Sequence, residues 1–102
     1  MEPGMRTEVE SQLQEHLRVS LVELIYSYMD HVYVYKGRSA VTGEGVAVKM
    51  QKLLRKDLEE QLVREARNMQ QLEHPNVLRL LSCFWYNNQQ RNCSYLVLVT
   101  EH

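Results

Sequence analysis

The sequence lacks the features that mark membrane, secreted and nucleic-acid-binding proteins. No apolar run approaches the roughly 20 residues that a transmembrane helix needs, and the N-terminus has no apolar core of the signal-peptide type. The two cysteines, Cys83 and Cys93, are too few and too far apart for a zinc site. No dense run of Lys and Arg is present and the formal net charge is -1, which argues against a nucleic-acid surface. We therefore expect a cytoplasmic protein with reduced cysteines.

The composition that remains is that of one small globular domain, since the 102 residues are 44% hydrophobic and 25% charged. Segments rich in Val, Ile, Leu and Tyr are typical of strands, and one longer segment has a helical period. These patterns predict an α+β fold in which five antiparallel strands form a sheet and one helix packs against it. The first three strands should form a meander, with Met29, Asp30 and His31 in its first turn. The strands are predicted at 21–28, 31–35, 46–50, 77–85 and 95–100, and the helix at 55–73.

The N-terminal segment has a pattern of its own. Thr7 and Glu10 have the spacing of a capping box, and apolar residues follow at i, i+4 and i+8 from Val9. We therefore expect a loose tail over residues 1–6 and then a short helix to about Arg18. This helix either docks on the sheet or binds a partner. The predicted division of the chain is a tail and helix over residues 1–19 and the main domain over residues 20–102.

A lysine in the third strand raises a question of charge. In the segment VAVKM, residues 46–50, four apolar residues surround Lys49. A buried ammonium is unfavourable unless it is paired, so Lys49 reaches water, pairs with an anion elsewhere in the chain, or binds a ligand. Strand alternation puts Lys49 on the same face as Ala47. The small alanine leaves room for a flat ligand beside the cation.

The helix carries a charge of the opposite sign on its apolar side. At about 100° per residue, its apolar residues project within roughly 40° of one direction. They are Leu58, Leu62, Met69 and Leu72. Glu65 projects into the middle of this stripe. We therefore expect Glu65 to be buried and to pair with Lys49 across the interface between helix and sheet.

Four segments, in this order, resemble the N-terminal lobe of a eukaryotic protein kinase. They are VYKG (34–37), TGEGVAVKM (42–50), REARNMQQLEHPNVLRLL (64–81) and YLVLVTEH (95–102). The resemblance covers about residues 20–102, and it implies a kinase-lobe fold that binds ATP.

The resemblance also implies a role for individual residues. Lys49 resembles the strand-three lysine that holds the α- and β-phosphates of ATP, and Glu65 resembles the helix glutamate that pairs with that lysine. The remaining cofactor-binding positions are two apolar residues at the adenine, the gatekeeper and the first hinge residue. They are Val34, Ala47, Thr100 and Glu101.

The phosphate loop departs from the family pattern. The resemblance places this Gly-rich loop at residues 27–32, where the three glycine positions hold Ser27, Met29 and Val32. Glycine lets the backbone approach phosphate closely and adopt positive φ. Asp30 adds a negative charge near the expected position of the phosphates. ATP is therefore expected to bind weakly.

The second departure is that the family's C-terminal lobe, with its HRD catalytic loop and DFG metal ligand, has no counterpart in these 102 residues. The sequence therefore assigns no catalytic and no metal-binding residue, and it ties magnesium to a C-terminal lobe. We expect no phosphoryl transfer by this chain alone. The expected partners are ATP and a protein or the missing lobe, but neither nucleic acid nor a membrane.

Three functions stay open. The chain is the ATP-binding part of an active protein kinase in signalling, where Ser/Thr specificity is favoured because that class is larger. Alternatively, it is the front half of a pseudokinase with a regulatory role. The third alternative is a free-standing, non-catalytic interaction module of kinase-like shape. HRD and DFG sequences beyond residue 102 would favour the first function, degraded versions the second, and stable folding of the 102 residues alone the third.

Overall fold

The computed structural model describes residues 1–71 and 79–101. The predicted apolar position Leu72, the predicted helix end at residue 73 and the predicted strand start at residue 77 lie outside these ranges, as does His102. The elements within them follow the predicted order: α1 (Pro3–Leu17), β1 (Val19–Tyr28), β2 (Val32–Ser39), β3 (Gly45–Lys52), a 3₁₀ turn (Lys56–Leu58), α2 (Glu59–Gln71), β4 (Leu80–Asn88) and β5 (Cys93–Glu101). Neither helix in the described ranges is long and apolar enough to cross a bilayer.

The five strands form one antiparallel sheet in the order β1-β2-β3-β5-β4. The predicted α+β fold and the meander of the first three strands are confirmed, and the first turn lies at residues 29–31 as expected. β1 and β4 are the edge strands. β1 contains two register shifts, between Leu21 and Glu23 and between Leu24 and Tyr26. Each shift inserts an extra residue and so changes which side chains project to which face.

The alternation predicted for β3 defines the two faces of the sheet. Val46, Val48 and Met50 are buried, whereas Ala47 is half-buried and Lys49 is exposed. We call the face with Val46, Val48 and Met50 the outer face, and the face with Ala47 and Lys49 the inner face. The outer face packs against α1 and the inner face packs against α2. The sheet therefore lies between two helices.

α1 covers the outer face with one apolar stripe. Met5, Val9 and Leu13 are buried, and their i, i+4, i+8 spacing places them on one side of the helix. The helix begins at Pro3, because proline is favoured in the first turn. The prediction of a loose N-terminal tail is therefore wrong, since Met5 extends the stripe one turn before Val9. Arg18 ends the helix in a left-handed conformation, with φ of 52°.

Polar contacts fix α1 to the hairpin of β4 and β5. The Tyr86 hydroxyl donates a hydrogen bond to the Glu8 carboxylate, and Arg91 forms an ion pair with Glu2. Burial, together with the contact to Glu8, raises the pKa of Tyr86, so its hydroxyl stays protonated and donates at neutral pH. Of the two alternatives for α1, the structure shows docking on the sheet.

α2 packs over the β4 and β5 end of the inner face. Ala66 is buried and, with Leu62, packs against Leu96. Glu65 is exposed, so the prediction that it is buried in the apolar stripe is wrong. Among the described residues, α2 packs through Ala66 and Leu62, and the projection did not count Ala66 as part of the stripe. At about 100° per residue, Glu65 lies roughly 100° from Ala66 around the helix, so its side chain is at the margin of the packed side and reaches solvent.

Candidate functional site

The strand register places Lys49 in a row of inner-face side chains. Val34 on β2 and Leu98 on β5 lie directly opposite Lys49, and opposite residues of an antiparallel pair project to the same face. The row continues to Tyr26 on β1 and to Cys83 on β4. Lys49 is therefore flanked by two aliphatic side chains, with an aromatic ring one strand further away.

A second row, beside the first, contains Ala47 and Thr100. These residues are opposite partners on β3 and β5, and Lys36 and Leu80 extend the row on either side. Thr100 is only 8% exposed, because it lies between β3 and β4. The structure thus brings four of the predicted site residues onto one face: Val34, Ala47, Lys49 and Thr100.

The Lys49 side chain is exposed, so of the three alternatives for its charge the structure shows the one in which the ammonium reaches water. In the described part of the chain, the apolar strand residues that pack with Ala66 and Leu62 lie on β4 and β5, as Leu80 and Leu96 do. The inner face of the first three strands is therefore open to solvent around Lys49. An ammonium in that position remains hydrated and requires no anion from the chain.

Glu65 lies near the C-terminal end of β3 and not beside Lys49. Its Oε1 accepts a hydrogen bond of 3.4 Å from Gln61 Nε2. Glu65 and Gln51 both line a cavity of about 250 Å³ between α2 and β3. In the described part of the chain, no nitrogen–oxygen approach within 4.0 Å joins Lys49 to Glu65. Their pairing is therefore a prediction for another orientation of α2.

Glu101 lies apart from the inner-face rows. It is opposite Val46, which is an outer-face residue, and its side chain is exposed. Its backbone N–H donates a hydrogen bond of 3.1 Å to the Arg79 carbonyl oxygen. Its predicted role at a hinge depends on the backbone and not on a side chain that faces Lys49.

Two tyrosines on the inner face were missed by the sequence prediction. Tyr26 and Tyr28 lie opposite Val34 and Val32, and each is 55% exposed. An exposed ring beside Val34 can pack against a planar ligand, and it can also lie over a cation. The alternation of apolar residues along β1 could not show this, because the two register shifts change the faces within the strand.

The turn between β1 and β2 contains Asp30, whose negative charge was predicted to lie near the phosphates of ATP. The Asp30 carboxylate lies 2.7 Å from Lys52 Nζ. The hydrogen bond from Lys52 is the main cause that lowers the pKa of Asp30. Met29 in the same turn has a positive φ of 52°, a conformation that glycine adopts at less cost. The negative charge of Asp30 is thus partly neutralised within the chain.

Comparison with known proteins agrees with this arrangement. A search of curated proteins returns no match to the chain. A protein-family model described as protein tyrosine and serine/threonine kinase matches residues 29–102, which is more than half of the chain. The matched region contains β2 to β5 and α2, with both inner-face rows on β2, β3 and β5. The chain therefore belongs to the protein tyrosine and serine/threonine kinase family, and its fold is that of a kinase N-terminal lobe.

Proposed function

We propose that the inner face around Lys49 binds ATP, as the nucleotide-binding lobe of a protein kinase or pseudokinase. The observation that carries this proposal is the row in which the exposed Lys49 lies between Val34 and Leu98. A lysine ammonium is a compact charge that suits phosphate. The half-buried Val34 and Ala47 beside it offer an apolar surface for a base. The open inner face leaves both accessible.

Each predicted site residue has a distinct part in this proposal. Val34 and Ala47 would contact the adenine, and Lys49 would hold phosphate. Thr100 would limit the depth of the site, because it is buried next to Ala47. Glu65 would pair with Lys49 only after α2 rotates. Glu101 would offer backbone groups at the end of β5.

The affinity for ATP should be low. The turn at residues 28–32 contains no glycine, and the Met29 side chain is 69% exposed in it. Backbone N–H groups can approach phosphate less closely there than in a glycine-rich loop. We expect a Kd on the order of 1 mM, which corresponds to about 4 kcal/mol. Magnesium and phosphoryl transfer are proposed only together with a C-terminal lobe, and Ser/Thr specificity only on the size of that class.

The test is an ATP titration of three proteins, followed by NMR or fluorescence. They are the unchanged chain, Lys49→Met and the matched control Lys56→Met. Lys56 is also exposed, but it lies in the 3₁₀ turn. We expect severalfold weaker binding for Lys49→Met and nearly unchanged binding for Lys56→Met. Equal losses in both variants would show only nonspecific attraction by positive charge and would refute the site.

A non-catalytic interaction module is the second candidate, and the edge strand β1 favours it. Beyond its first third, β1 is exposed on both faces. Its exposed apolar side chains are Val22, Leu24, Ile25, Tyr26 and Tyr28, from 42% to 55% exposed. An edge strand with apolar side chains and free backbone groups is suited to pair with another chain. This function does not require ATP, so the two candidates can be separated by measurement.

A further inference from the structure

The turn between β1 and β2 is tied to the rest of the sheet by three contacts. Asp30 Oδ2 lies 2.7 Å from Lys52 Nζ in an ion pair with hydrogen-bond geometry. The Tyr95 hydroxyl donates a hydrogen bond of 2.6 Å to the Asp30 carbonyl oxygen. The Lys52 backbone N–H donates a hydrogen bond of 2.7 Å to the His31 carbonyl oxygen. A turn of five residues is thus held at a side chain and at two backbone carbonyls.

The two side-chain contacts, from Lys52 and Tyr95, lie toward the outer face, away from Lys49. Lys52 alternates with Gln51 along β3, and its opposite partner on β5 is Tyr95. Tyr95 is 2% exposed and belongs to the core under α1. Lys49, by contrast, projects to the inner face. The contacts therefore draw the turn toward the side of the sheet opposite to the proposed phosphate position.

The charges around Asp30 and Lys52 favour this arrangement. The hydrogen bond and ion pair with Asp30 raise the pKa of Lys52, and the same contact lowers the pKa of Asp30. His31 Nε2 is a further basic group, 3.5 Å from Asp30 Oδ1. Tyr33, Cys93 and Tyr95 are further titratable groups close to the pair. Asp30 and Lys52 are therefore both charged at neutral pH.

The geometry points to a latch. We propose that Asp30, Lys52 and Tyr95 hold the turn of residues 28–32 toward the outer face, and that release of these contacts lets the turn move over Lys49. Lys52 and Tyr95 are then positioning residues, since they act on the turn and contact no ligand themselves. The first half of the proposal concerns the protein alone. The second half rests on the proposed binding of ATP at Lys49, because a released turn could offer its backbone N–H groups to phosphate.

Amide hydrogen exchange of the full chain without ligand tests the latch. The reporter is the His31 amide, which donates to the Tyr28 carbonyl oxygen across the turn at 3.0 Å. The variants Asp30→Asn and Tyr95→Phe should each exchange severalfold faster at this amide. The Gly43 amide, bonded to the Ser39 carbonyl oxygen at 2.8 Å in another turn, should not change. Unchanged exchange at His31 in both variants would overturn the latch.

Two controls separate a latch from a general loss of stability. Asp57→Asn removes an exposed ion pair with Arg55, at 2.6 Å, and should leave the exchange at His31 as it is. Lys52→Arg keeps the positive charge and should restore most of the protection that Lys52→Met loses. Salt at about 1 M, where the Debye length is about 3 Å, should accelerate exchange in the unchanged chain more than in Lys52→Met. Equal effects of Asp57→Asn and Lys52→Met at His31 would contradict the latch.

ATP titration of Tyr95→Phe tests whether the released turn moves over Lys49, because this variant frees the Asp30 carbonyl oxygen without changing any charge. We expect severalfold tighter binding than for the unchanged chain. Faster exchange with unchanged affinity would overturn the movement over Lys49. If no variant binds ATP at all, the proposed function fails, while the exchange measurement still decides whether the latch exists.

Discussion

Replacement of Leu13 by alanine should be among the most destabilising changes in α1. Leu13 is 0% exposed in the core between α1 and the outer face. Truncation of a buried leucine removes its transfer free energy and leaves a cavity, which together cost about 2–5 kcal/mol. A domain of this size is stable by about 5–15 kcal/mol. We therefore expect Leu13→Ala to lower the free energy of unfolding by about 3 kcal/mol and the Tm by about 10 °C or more.

The assay is thermal and urea unfolding followed by circular dichroism, with Leu54→Ala as the matched control. Leu54 is 57% exposed in the segment after β3, so the same truncation removes little buried surface there. Its effect should stay within about 0.5 kcal/mol. Helix propensity cannot account for a loss at Leu13, because alanine is the better helix former. If both variants unfold at the same temperature, α1 is not packed on the sheet.

Three further predictions concern the exposed Glu65, phosphoryl transfer and the edge strand β1. Glu65→Gln should alter the free energy of unfolding by less than about 0.5 kcal/mol, because Glu65 is exposed, and a loss near 3 kcal/mol would show that its carboxylate is buried. With magnesium and radiolabelled ATP, the chain alone should transfer no phosphate to a generic protein substrate above the level of a Lys49→Met control. Transfer above that control would contradict the prediction that these 102 residues are not catalytic on their own. The chain should self-associate at high concentration through β1, so sedimentation should report association that Ile25→Lys weakens, and a monomer at all concentrations would count against the interaction module.

The five strands and the meander of the first three could be predicted from the sequence because each depends on local chemistry, whereas the pairing of β3 with β5 was not predicted. Segments of β-branched and aromatic residues, separated by polar turns such as the one at Asp30, favour a meander. The alternation of Val46, Ala47, Val48 and Lys49 gave the two faces of β3 correctly. The resemblance to a kinase lobe then selected the residues of the inner face, and the register places Val34 and Thr100 on that face with Lys49.

The features that could not be predicted depend on the tertiary packing of one helix or strand against another. The burial of Glu65 was inferred from a stripe of large apolar residues, whereas the helix packs through Ala66, about 100° around the helix from Glu65. Lys49 lies among apolar neighbours along the chain, yet Val48 and Met50 belong to the core under α1 while Lys49 projects to the other face and reaches water. The contact between Asp30 and Lys52 joins residues 22 apart, and no local pattern in either segment indicates it.

The most direct test of the account is the map of methyl chemical shifts when ATP is added to the isotope-labelled chain. Inner-face and outer-face methyl groups alternate along the central strands, so each residue has a neighbour that serves as its control. We expect the methyl signals of Val34, Ala47 and Leu98 to shift with a common Kd on the order of 1 mM, while those of Val48 and Val99, buried under α1, stay in place. Saturable shifts confined to other surfaces, or shifts of equal size on both faces, would contradict a nucleotide site at Lys49.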